Sequence, residues 1–126
     1  MSFSGDYADI EITGCRDVVL RDVRAGALRI VDSYAVVENT RVVAPDVALD
    51  VKGSRVEITA SDFAGNVALQ VEGSDLDVAG VQLQGRRAAV HVGGASKVIF
   101  SVSRAESPIN QRYLHGVYEF DIGVEL

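Results

Sequence analysis

The chain has one cysteine, two prolines, one methionine and no tryptophan. A lone Cys15 excludes an internal disulfide framework and a cysteine-built zinc site, and it leaves the redox compartment open. No apolar run approaches the roughly 20 residues that a membrane-spanning helix needs. The N-terminus, Met1-Ser2-Phe3-Ser4-Gly5-Asp6-Tyr7, lacks the basic and apolar regions of a secretory signal. The expectation is therefore a cytoplasmic chain or a piece of an exported protein. Basic residues number 12 against 18 acidic ones, a net charge of −6, and only Arg86-Arg87 gathers positive charge. Such a balance repels phosphate backbones and anionic lipids, so neither nucleic acid nor a membrane is expected as a partner. No cofactor motif is present, and no cofactor is expected.

What remains is rich in Val, Ile, Leu and Ala. At 126 residues, 48% of them apolar, the chain is long enough for one core, and a single domain over 1–126 is expected. The β-branched residues favour strands over helices. A repeat of 20 or 21 residues organises them. Ala48-Leu49-Asp50-Val51-Lys52-Gly53-Ser54 recurs as Ala68-Leu69-Gln70-Val71-Glu72-Gly73-Ser74 and as Ala89-Val90-His91-Val92-Gly93-Gly94-Ala95. Ala27-Leu28-Arg29-Ile30-Val31-Asp32-Ser33 precedes them, and an offset first copy starts at Ile10. A second alternating stretch follows each copy, with Ala35 and Val37, Val56 and Ile58, Leu76 and Val78 inward; Val42, Phe63 and Leu83 come next. Period-two alternation marks half-buried strands, and stacking equivalent strands about 4.8 Å apart buries a continuous aliphatic column.

These features predict an all-β fold, a right-handed parallel β-helix of about five coils over residues 8–103, with an amphipathic C-terminal strand within 104–126. A left-handed β-helix needs coils of about 18 residues, and leucine-rich repeats need a Leu-x-x-Leu-x-Leu signature that is missing. A β-sandwich does not explain repetition at this spacing. The pattern Ala-Leu-x-Val-x-Gly-Ser-x-Val-x-Ile, as in Ala48 to Ile58, resembles the pectate-lyase-like right-handed β-helix superfamily. That resemblance implies the fold; the superfamily spans lyases, hydrolases, epimerases, tailspikes and adhesins, so it implies no single activity. The Gly-Ser steps fit bends that need small residues, and Cys15, Ser33, Ser54, Ser74 and Ala95 are expected to form a ladder there.

Register also assigns outward side chains. Glu11, Arg29, Asp50, Gln70 and His91 form one row of alternating charge, which reads as a solvated face. On the second strand, Tyr34, Arg55, Glu57, Asp75, Asp77 and Lys97 make a candidate binding face. Glu57 and Asp77 occupy equivalent positions, about one strand spacing apart. Two such carboxylates could share a proton, hold a hard cation or act on a glycosidic bond. Exposed charge compensated by Arg55 and Lys97 needs no such role, so no catalytic or metal-binding residue is assigned.

Both ends of a β-helix need covering. At one end only Phe3 and Tyr7 are on offer. At the other, Tyr118, Phe120, Ile122, Val124 and Leu126 alternate with Glu119, Asp121 and Glu125. Together with Tyr113 they are expected to cap the stack or to join a second copy, making a homo-oligomer. The expected function is a non-catalytic structural or interaction module that self-associates. The alternative is a carbohydrate-active protein, a lyase or glycoside hydrolase if an enzyme, working on a polysaccharide across the second-strand face. The abundance of Arg over Lys, with Ala, Val and Gly, suggests a bacterial source.

Overall fold

The computed structural model describes residues 2–94, 96–106, 111–120 and 124–125, the last two segments through their backbone pairing. The described chain is all-β, a parallel β-solenoid of about five turns. Each turn has three strand walls, because the apolar residues come in three groups; the strands Asp62–Glu72 and Gln82–Gly93 continue from the third wall into the first without a break.

The first column stacks β2 (Ile10–Thr13), β4 (Leu28–Val31), β7 (Val47–Lys52), the end of β9 (Asp62–Glu72) and the end of β11 (Gln82–Gly93). The second stacks the start of β3 (Val18–Ala25), β5 (Tyr34–Glu38), β8 (Arg55–Thr59), β10 (Asp75–Ala79) and the start of β12 (Ser96–Glu106). The third is built from the end of β3, β6 (Arg41–Val43) and the starts of β9 and β11. It closes on the end of β12.

In-register pairing puts like side chains over one another. Leu28, Leu49, Leu69 and Val90 form a fully buried row, with Ile30, Val51, Val71 and Val92 beside it. Val42, Phe63 and Leu83 fill the third wall. Burying each such side chain contributes about 1.5–3 kcal/mol, and each inner coil stacks its apolar side between the coils before and after it.

Two corners are columns of left-handed residues. Gly14, Asp32, Gly53, Gly73 and Gly94 have positive φ at the first; Asp22, Asn39, Ala60 and Gly80 have it at the second. Serine follows Asp32, Gly53 and Gly73, and serine hydroxyls tie the coils together at this corner. The Ser33 amide donates to Ser54 Oγ, the Ser54 amide to Ser74 Oγ and the Ser74 amide to Ser96 Oγ. Each of Ser33, Ser54 and Ser74 in turn donates its hydroxyl to the carbonyl two residues back. Cys15 stands at the start of the ladder, its amide bonded to Ser33 Oγ and its Sγ 3.5 Å from the Thr13 carbonyl. The fifth member is Ser96, because Gly93-Gly94-Ala95 is one residue longer than the matching steps; the expected Ala95 lies outside the described residues.

The first coil departs from the 20–21 residue spacing. Ile10 pairs with Leu28, a step of 18, because the third corner takes three residues from Ala25 to Leu28 where the next coil takes seven from Val42 to Leu49. Gly26 has no room for a side chain there, since a Cβ would meet the Ala8 carbonyl oxygen. Ahead of this coil β1 (Ser2–Tyr7) adds a partial rung, parallel to β3. Behind the fifth coil the direction reverses: β13 (Gln111–Phe120) pairs antiparallel with β12, and β14 (Val124–Glu125) antiparallel with β11. Tyr113, Tyr118, Phe120 and Val124 fall on those two strands; Ile122 and Leu126 lie outside the described residues.

Candidate functional site

The second-strand face follows from register alone. Tyr34, Arg55, Asp75 and Lys97 are consecutive partners across β5, β8, β10 and β12. Two residues along, Val36, Glu57, Asp77 and Ile99 form the parallel row. Inward neighbours such as Val56, Ile58, Leu76 and Val78 are buried, so the alternating pleat obliges these side chains to face outward. All six residues singled out in the sequence therefore share one face.

Their contacts knit the face laterally. The Tyr34 hydroxyl donates to Glu57 Oε1 at 3.3 Å, and the Arg55 guanidinium carbon lies 5.8 Å from the Tyr34 ring centroid. Arg55, Glu57, Asp75, Asp77, Lys97 and Ile99 line a shallow depression of ≈160 Å³. The Glu57 and Asp77 backbones are direct partners, one strand spacing apart. Chemically, three carboxylates, two cations and an aromatic edge suit hydroxyl-rich or amide-bearing ligands lying along the stack. Among the described residues no three of His, Cys, Asp or Glu gather to hold a metal ion, so this carboxylate pair has no third ligand there.

The first-strand face is an ion-pair lattice. Arg29 Nε lies 3.9 Å from Asp50 and Lys52 Nζ 3.7 Å from Glu72. Asp50 is half-buried between its neighbours, and that burial pushes its carboxyl above the ordinary range, against the pull of Arg29 and Lys52. His91 continues the row, paired through its backbone with Gln70 and Glu125.

A further polar surface was not singled out in the sequence. Arg24 and Arg41 are register partners on the third wall. With Asp22, Asn39 and Asp62 they line a depression of ≈340 Å³, where Asn39 Nδ2 donates to Asp22 Oδ1 at 2.6 Å. The only available signal was a 17-residue spacing, which falls in the shortened first coil. A third depression, ≈460 Å³, runs along the first corner past Arg16, Asp32, Tyr34, Gly53 and Gly73. Arg86, from the basic pair, donates to the Pro45 carbonyl two coils away.

No protein-family model, no curated protein and no solved structure matches the chain.

Proposed function

We propose that the chain is a non-catalytic interaction module: a stiff β-solenoid that displays charged faces and associates with copies of itself through the ends of its stack. The observation that carries this reading is the shortness of the corners. Cleft-forming enzymes need walls, and here Glu57 and Asp77 stand on flat strands above a depression of only ≈160 Å³, below the roughly 300–1,000 Å³ of ligand pockets. The two wider depressions lie along corners lined by Asp, Arg and Gly side chains. The ends, by contrast, present strand edges, and edges are where sheets recruit further strands. Tyr113, Tyr118, Phe120, Ile122, Val124 and Leu126 are the residues proposed to cap the stack or to dock on a second copy. Sedimentation of the full chain tests the proposal, with an oligomer expected at micromolar concentration. A monomer at every accessible concentration would sink it.

A second reading is favoured by the exposed Tyr34 ring with Arg55, Glu57, Asp75, Asp77 and Lys97 around it. In that reading the face binds a polysaccharide, in keeping with a proposed kinship to the pectate-lyase-like superfamily that rests on the Ala-Leu-x-Val-x-Gly-Ser repeat. Binding on a glycan array, weakened by Glu57→Gln and by Tyr34→Ala, would favour it over the first.

A further inference from the structure

The N-terminal end of the stack is stepped. β1 lays a rung over β3, covering the second and third walls of the first coil. On the first wall nothing lies over β2: among the described residues its one partner is β4. The direction of its backbone groups follows from two bonds. The Ile10 amide donates to the Ala27 carbonyl at 2.9 Å and the Gly14 amide to the Val31 carbonyl at 3.0 Å, both toward the second coil. In a parallel ladder successive residues turn their N–H and C=O to opposite sides. Ile12 thus faces the second coil with Ile10, while the amide and carbonyl of Glu11 and of Thr13 face away from the stack.

The other exposed edge at this end is blunted. β1 breaks its register between Phe3 and Gly5, and Gly5 sits at φ 102; bulges and irregular torsions of this kind discourage further pairing. β2 has no such device. Its pairing runs without a register shift, and its inward Ile12 is only 6% exposed, so an added strand would meet apolar side chains on one side and Glu11 on the other.

The geometry points to β2 as a strand-accepting edge for an extended segment of another polypeptide that reads apolar, basic, apolar. Charge decides the middle residue. The outward row runs Glu11, Arg29, Asp50, with Arg29 and Asp50 3.9 Å apart, and a cation beyond Glu11 continues that alternation where an anion would oppose it. The chain already shows the preferred partner on the opposite edge of β2, where Leu28, Arg29 and Ile30 pair with Ile10, Glu11 and Ile12. Main-chain bonds would supply affinity and the alternate side chains selectivity, as in other strand-addition complexes. The inference deepens the interaction-module reading and rests on it.

Two synthetic peptides test it on the isotope-labelled full chain at low salt: the chain's own residues 26–32, Gly-Ala-Leu-Arg-Ile-Val-Asp, and the same peptide with Arg29→Glu. The expected result is slowed exchange and shifted resonances at the Glu11 and Thr13 amides with the Arg peptide, and about fivefold weaker binding of the Glu peptide. In the Glu11→Lys chain the order of the two peptides reverses. Unchanged Glu11 and Thr13 amides, equal binding of both peptides, or changes confined to β1 or β13 would each overturn the inference. Sedimentation without peptide reads self-association separately. If it shows an oligomer whose Glu11 and Thr13 amides are already protected, a second copy covers this edge; the peptide proposal then fails while the interaction-module reading stands.

Discussion

The backbone amide of Ser33 donates to the hydroxyl of Ser54, one coil away, at 3.0 Å. That hydroxyl simultaneously donates to the Lys52 carbonyl at 2.9 Å, so one oxygen both closes its own bend and holds the coil before it. Both serines are buried. Ser54→Ala leaves the Ser33 amide without its acceptor in a place water does not reach. A buried unsatisfied donor costs about 1–3 kcal/mol, and urea unfolding should show a loss of that size with an unchanged m-value. No measurable loss would mean that the ladder is ornamental.

Glycines at the corners do two different jobs, and substitution separates them. Gly85 is held by lack of space, because a Cβ there would overlap the Ala88 carbonyl group. Gly73 is held by conformation, with φ +55 and nothing within 4 Å of a would-be Cβ. Gly85→Ala should cost about 3 kcal/mol or more, since backbone must move. Gly73→Ala should cost about 1–2 kcal/mol, and Gly73→Asn less, since Asn39 and Asp32 already occupy left-handed positions in this chain. Thermal melts of the three variants would refute this account if Gly73→Asn proved as damaging as Gly85→Ala.

Leu69 lies between Leu49 and Val90 in the buried row. It sits in the fourth coil, away from either end, so local fraying cannot relieve a cavity there. Leu69→Ala should cost about 2–5 kcal/mol. Ile12→Ala, in the first coil and already slightly exposed, should cost less because the end can relax around it. Denaturant titration of both proteins checks the order, and a larger loss for Ile12→Ala would contradict a core that runs the length of the stack.

Such columns were legible because the third to fifth repeats recur at 20 or 21 residues along the first wall, and like side-chain types at nearly equal spacing point to equivalent surroundings. The second-strand face was legible for the same reason: once Val56 and Leu76 are inward, Arg55, Glu57, Asp75 and Asp77 have one direction left. What could not be read was whatever breaks the repeat. The first coil is 18 residues rather than 20 or 21, which hid the Arg24 and Arg41 pairing. Gly53 and Gly73 announced a bend, whereas Asp22, Asp32, Asn39 and Ala60 adopt the same left-handed torsions without the glycine that would have marked them; Asp and Asn tolerate that region, but their presence does not demand it. The antiparallel return of β13 is a tertiary choice, since alternation within residues 111–126 specifies a strand but not its direction.

Asp50 links this architecture to pH. Its carboxyl is raised from its ordinary value because the neighbouring coils bury it, and Arg29 and Lys52 only partly offset that cost, while Glu72 adds to it. A raised acid favours the folded state when protonated. That contribution is fully present below the ordinary aspartate pKa of about 3.9, and it is lost as pH climbs through the higher folded value. At pH 7 the charged Asp50 therefore opposes folding. Asp50→Asn keeps the shape and removes the charge, so its Tm should exceed that of the parent chain at pH 7. The gain should shrink with falling pH and disappear near pH 3, where the parent carboxyl is protonated in either state. Paired melts of the two proteins across this range cancel the titration of groups that do not interact with Asp50. A variant less stable than its parent at pH 7 would show that the ion pair with Arg29 outweighs burial, reversing the balance on which the prediction depends.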